Sequence, residues 1–382
     1  MSACDGARRR VLAAFGARGE VADELLRYNQ SPFGDAVQLP PLPLDDEPFV
    51  GDWERYRIEA EERGVWPVIR QALVQLRFPI AAGTSTTPAY EAATRAGAAP
   101  PEGPGVELEA PGDLRLFLHP TAAGRIPVLL AGTMDDFRSL VRALTRKNEP
   151  VPLPASMGAA MVAGYNNWER VARLRAAWEA GEIAADGAED WSAAFRVLRG
   201  RKELYQDRFV LLGPGPYSGV PAREMGMGED EWRAASVAIR LEHECAHYFT
   251  RRVLGSMRNN LLDELIADYV GIASAAGGYR AGWFLRFMGL EGDGYREGGR
   301  LQNYRGDPVL SDTAFSVLQS LVRAAAAALE TADAQHPGLC ATAGGRARAI
   351  AALAALTLEE MADDDGADRI AARMAGEALA AC

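Results

Sequence analysis

Hydrophobic positions along the chain switch repeatedly between two periods, one suited to helices and one to strands. Helical spacing runs through residues 21–28, 53–77, 168–180, 191–199, 279–290 and 311–331. The alanine-rich tail, 344–382, fits two closing helices around an acidic break at Asp363 to Asp365. Thr87 and Pro88 start a further helix, because a hydroxyl cap followed by a residue with no amide suits a first turn. Short alternating runs at 106–110, 114–118 and 126–130 predict two or three strands, and 208–212 predicts one more. A helix capped by Thr133, with Asp135 and Asp136 in its first turn, follows the first group. Loops rich in Pro, Gly or polar residues at 39–48, 98–105, 149–154 and 291–307 separate these elements. The expected fold class is α+β, predominantly helical.

One helical segment carries chemistry. Residues 229–254 contain no Pro or Gly, begin with Glu229, Asp230 and Glu231, and end with Arg251 and Arg252, the charge order a helix dipole favours. Gly255 supplies a stop. A projection at about 100° per residue puts Ser236, Ile239, Arg240, His243, Ala246, His247 and Thr250 on one side. The other side, with Ala234, Ala238, Leu241, Cys245, Tyr248 and Phe249, is the predicted core face.

Within this segment His243-Glu244-Cys245-Ala246-His247 is an HExxH motif. Its two imidazoles are offset by about 40° and about 6 Å of rise, so both reach a single ion while Glu244 flanks them and can hold a water. The chain has four histidines, and at this composition chance yields such a pentapeptide with a probability of roughly 0.002.

A structural zinc site uses four protein ligands, whereas a hydrolytic one uses three and keeps a position open. The third ligand is expected in a second helix, 259–274, where Glu264 and Asp268 share a face at i and i+4. From His247 to Leu254 the first helix climbs about 10.5 Å and from Asn259 to Glu264 the second descends about 7.5 Å, so an antiparallel hairpin returns Glu264 to the histidines. Asp268, one turn on, is placed to accept the second ring N–H of a ligating histidine, His243 being the expected partner.

HExxH followed by ExxAD on a second helix resembles the gluzincin branch of the zincin-like metallopeptidases, over residues 229 to about 276. The resemblance implies His243, His247 and Glu264 as ligands of one zinc per chain, Glu244 as catalytic base and Asp268 behind a histidine. It also implies a zincin-like helix pair beside a small sheet, a peptide or small amide substrate, and an edge strand at 209–212 that pairs with that substrate. Val253 stands where the metzincin branch would place a third histidine. The chain then divides into an N-terminal α+β region at 1–150, a zincin-like catalytic region at 151–300 and C-terminal helices at 301–382.

Charge and cysteine usage narrow the context. A net charge of −11 with no basic run argues against nucleic acid and anionic membranes as partners. The apolar run after Arg8 to Arg10 is too short for a signal peptide and none reaches membrane-spanning length, so the expected location is cytoplasmic. Cysteines at 4, 245, 340 and 382 show no CxxC spacing and suit free thiols; Cys245, about 200° around the helix from His243, reads as core. Asn166-Asn167-Trp168 reads as a helix cap followed by a packed ring, and 213–217 as a turn. Tyr279, Tyr304 and His336 are candidates for stabilising an oxyanion, while His119 and His336, each before a proline, also read as plain loop histidines.

Two other classes use the same residues. A non-haem iron enzyme needs two histidines and a carboxylate, or a di-iron pair built from Glu244-x-x-His247 and Asp333-x-x-His336. A non-catalytic relative would keep the fold and bind peptides.

Overall fold

The computed structural model describes residues 3–30, 39–184, 189–256, 261–292 and 294–376. Among them helices dominate and four strands form one mixed sheet, which makes the fold α+β and predominantly helical. The chain divides into two compact units, one of Met1–Leu44, Thr121–Ala123 and Pro216–Cys382, the other of Asp45–Pro120 and Gly124–Gly215. The chain passes between these units after residues 44, 120, 123 and 215, not at 150 or 300. No helix among the described residues is long and apolar enough to cross a membrane.

The sheet belongs to the second unit. Its strands β1 (Arg115–His119), β2 (Ile126–Leu130), β3 (Ala159–Asn166) and β4 (Gln206–Leu212) lie in the order β1-β2-β4-β3. β1 and β2 are antiparallel with Phe117 opposite Val128, β2 and β4 are parallel with Leu129 opposite Leu211, and β3 runs antiparallel to β4. β4 is thus hydrogen-bonded on both sides, so the expected edge strand with a free ladder for substrate at 209–212 is not there. Its buried Phe209, Val210, Leu211 and Leu212 match a strand covered on both faces.

β3 is a strand that the hydrophobic pattern did not predict. Its Ala159, Ala160, Ala163 and Gly164 have low strand propensity, and Gly164, at φ 74°, sits where the register shifts between Ala163 and Tyr165. The reverse holds at 106–110, where a strand is expected and none forms. There the amides of Glu109 and Ala110 donate to the Asp136 carboxylate, at 2.6 and 3.0 Å, in place of a ladder.

Helix Val50–Arg63 packs Trp53 and Tyr56 into this core and stops at Gly64, whose φ of 81° splits the predicted 53–77 helix from Val65–Ala72. The core is pinned by one buried carboxylate: Asp207 accepts from Trp53 Nε1 (3.0 Å), Asn167 Nδ2 (2.7 Å) and Arg170 Nη1 (2.7 Å). Asn167 also caps helix Trp168–Glu179 through its side-chain oxygen. Thr87 and Thr133 cap their helices as the sequence predicts.

The first unit is helical. Its frame is the long helix Asp312–Asp333, capped by Ser311, with the motif helix Glu229–Val253 packed along Leu261–Ala276. Among its described residues the tail forms three helices, Ala343–Ala354, Leu358–Ala362 and Gly366–Ala375, where two are expected over 344–382, the last six positions of that range lying outside the described residues. The extra one starts at a capping box, in which the Glu360 carboxylate accepts from Thr357 N (2.7 Å) and Thr357 Oγ1 accepts from Glu360 N.

Candidate metal centre

The motif helix and its neighbour run antiparallel, because contacts pair Glu264 with His247, Asp268 with His243 and Gly271 with Ile239 as one chain rises and the other descends. Of the predicted core face, Cys245, Tyr248 and Phe249 are buried as expected, whereas Ala234 is exposed and Ala238 and Leu241 are half-buried. The histidine face is buried as well, along its whole length from Ser236 and Ile239 to Thr250. The reason is this second helix, which is buried on every side from Leu261 to Ala273 and covers the histidines.

Three side chains converge there. His243 Nε2 and His247 Nε2 lie 3.1 Å apart, His243 Nε2 is 3.6 Å from Glu264 Oε2, and His247 Nε2 is 3.5 Å from Glu264 Oε1. All three residues are buried. A tetrahedral ion with bonds of about 2.0–2.2 Å separates its ligand atoms by about 3.3–3.6 Å; the two carboxylate spacings match, the imidazole pair at 3.1 Å is slightly closer, and the N, N, O donor set suits a zinc-sized divalent cation.

Asp268, fully buried, lies behind them. Its Oδ1 is 2.8 Å from His243 Nδ1 and accepts from the Tyr217 hydroxyl at 2.5 Å, and its Oδ2 accepts from Arg300 Nη2 at 2.6 Å. An ionised carboxylate only accepts, so the His243 ring proton is assigned to Nδ1 and the Nε2 lone pair faces the shared point. Burial alone would push the Asp268 carboxyl up, but Arg300 and His243 hold it below the usual range. Glu264 behaves alike: burial is overcome by His247, His243 and Arg300, and its carboxyl sits well below ordinary values. In the same ion-free arrangement burial would lower His247, yet Glu264 raises it to about 9.

Tyr217 reaches the site from a turn stapled onto the motif helix. Its amide donates to Ser236 Oγ (2.9 Å) and the Pro216 carbonyl accepts from Arg240 Nη2 (2.6 Å), both one or two turns before His243. Arg300 and Tyr304 come from the short 3₁₀ helix Arg300–Tyr304, inside a stretch expected to be only polar loop. Arg300 donates to Glu264, Asp268, Tyr217 and Ser218, and Tyr304 donates its hydroxyl to Glu264 Oε2 at 2.8 Å. Spacing offered no signal for Tyr217 or Arg300, since both arrive from turns.

The remaining candidates are placed as follows. Glu244 is half-buried beside the histidines in sequence, while its neighbour Glu242 is buried and pairs with Arg346 at 3.0 Å. Cys245 is a buried free thiol, pushed well up by burial. Tyr304 belongs to the site, whereas the buried Tyr279 hydroxyl has no hydrogen-bond partner among the described residues and His336 Nε2 contacts the Ala371 carbonyl at 2.9 Å. Asp333 accepts from Tyr269 (2.7 Å) and Tyr279 N (2.7 Å), and neither it nor His336 joins His247, so the expected di-iron pairing is not assembled. His119 ends β1.

Two histidines and one carboxylate on paired antiparallel helices, backed by a buried aspartate, thus define a candidate divalent-metal centre. The chain that carries it belongs to the family of unknown function DUF7005, whose profile matches residues 10–365. No curated protein and no solved structure matches the chain.

Proposed function

We propose that this protein is a zinc-dependent hydrolase that cleaves a peptide or small amide bond, with His243, His247 and Glu264 holding one zinc and Glu244 as general base. The observation that carries the reading is the triangle of two imidazole nitrogens 3.1 Å apart and a carboxylate at 3.5 and 3.6 Å. The HExxH and ExxAD pattern, similar to that of gluzincins, supports it.

Bound zinc supplies a Lewis acid for the scissile carbonyl and lowers the pKa of a water. The chain's own residues do the rest. His243 is held by Asp268 with its Nε2 lone pair available, and Glu264 completes the donor set. Glu244, the half-buried carboxylate of the motif, takes a proton from the attacking water and returns it to the leaving nitrogen. We place this activity in the cytoplasm, on peptides or small amides, with neither nucleic acid nor a membrane as partner.

The test is turnover of a peptide and amide panel by the zinc-loaded full chain and its Glu244→Gln variant. The reading expects the variant to keep its zinc and lose hydrolysis. Hydrolysis that survives in the variant removes Glu244 from its role, and iron-dependent oxygen consumption with no hydrolysis favours the oxidative class instead.

A further inference from the structure

Glu264 presents both carboxylate oxygens toward the histidines, Oε1 at 3.5 Å from His247 and Oε2 at 3.6 Å from His243. A carboxylate so placed can offer a metal either one oxygen or two. Two would add a ligand atom and crowd the position that a hydrolytic centre keeps open. The oxygens differ in what else they touch. Oε2 accepts the Tyr304 hydroxyl at 2.8 Å and Arg300 Nη2 at 3.3 Å, whereas among the described residues Oε1 meets no donor other than the His247 ring. A carboxylate oxygen has about two lone-pair sites, so both on Oε2 are taken while Oε1, which faces only the His247 ring among the described residues, keeps one for a metal.

We propose that Arg300 and Tyr304 are positioning residues that bind Glu264 Oε2 and thereby leave Oε1 as its sole metal-ligating atom. The inference rests on the metal-site reading above.

Both donors are themselves held. Arg300 is pinned by Asp268 Oδ2, the Tyr217 hydroxyl and Ser218 Oγ, at 2.6, 3.2 and 3.0 Å, and its side chain is largely but not fully buried. The Tyr304 carbonyl accepts from the Tyr28 hydroxyl at 2.5 Å, and that hydroxyl accepts from the amide of Leu261 at 3.3 Å. Leu261 is the first described residue of the helix that carries Glu264, the expected start at Asn259 lying outside the described residues. Tyr28 therefore ties the clamp to the ligand helix at Leu261. Arg300 adds a second effect: its guanidinium contacts both Glu264 and Asp268 and offsets two buried carboxylates that would otherwise repel each other. With Tyr304 spoken for, the hydroxyl that the sequence offers as an oxyanion donor is committed to the ligand.

The full chain reconstituted with Co²⁺, and separately with Zn²⁺, tests this without an activity assay. Visible Co²⁺ absorption is strong in four-coordinate sites and weak in five- or six-coordinate ones, and zinc-edge X-ray absorption distinguishes one carboxylate oxygen from two. Wild type should show a strong band and a one-oxygen carboxylate. Tyr304→Phe, which deletes a single oxygen, should bind the same single ion with a weaker band and a two-oxygen carboxylate. If the variant does not fold, the wild-type zinc spectrum decides alone, and two bound carboxylate oxygens there overturn the proposal. A Tyr304→Phe spectrum identical to wild type also overturns it while leaving the metal site intact. A wild type that takes up no ion removes the metal site itself, and the clamp with it.

Discussion

A Cβ built on Gly271 would stand 2.6 Å from the Ile239 carbonyl oxygen, so the ligand helix meets the motif helix backbone where only hydrogen fits. That contact lies about one turn beyond the Asp268–His243 pair and sets how near the two helices lie. Gly271→Ala should push them apart, cost about 1–3 kcal/mol of stability as overpacking does, and weaken zinc binding in parallel. Denaturant unfolding with and without zinc reads both effects. A variant as stable as wild type with unchanged zinc affinity would show that the crossing distance does not govern the site.

Asp268→Asn preserves shape but removes an anionic acceptor that His243, Tyr217 and Arg300 share. Zinc affinity should fall by about 10–100-fold, the usual effect of losing a residue that orients a ligating histidine. Titration against a competing chelator gives the number, and an unchanged affinity would mean that His243 does not depend on Asp268 for its tautomer.

The metal-free protein should lose stability as pH rises from neutral into the alkaline range. Glu264 lifts His247 from 6.5 to about 9 in the fold, so the stability of that pair is complete below pH 6.5 and disappears as pH climbs through about 9. Glu264, held below the usual carboxylate range, acts at the other end: its contribution is present above the ordinary carboxylate value and is lost on acidification. Because zinc must displace the His247 proton, zinc binding should tighten over the same alkaline interval in which the metal-free fold weakens. Unfolding midpoints in chelator across this range, compared with His247→Gln, test the assignment; a variant with the same alkaline slope as wild type would place its origin elsewhere.

What could be read in advance follows from the range of the physics involved. His243, Glu244 and His247 are placed by one helix, whose pitch fixes their relation without any tertiary information. Glu264 and Asp268 required only that a short connection reverse the chain, and the contacts of both with the histidines agree with that expectation. Caps at Thr87, Thr133 and Asn167 are equally local. Tyr217 and Arg300 were not legible, because each is delivered by a turn whose path depends on partners distant in the chain. β3 was hidden by alanine and glycine, which leave little alternation to detect, and the burial of the histidine face was hidden because two histidines and an arginine count as polar until a second helix covers them.

The most direct measurement of the central claim is the zinc content of the full chain after reconstitution and removal of loose metal, for wild type and for His243→Ala, His247→Ala and Glu264→Ala. The account predicts one zinc per wild-type chain and a loss of tight binding in each variant that remains folded. A wild type that retains none, or a set of folded variants that retain zinc as tightly as wild type, would contradict it.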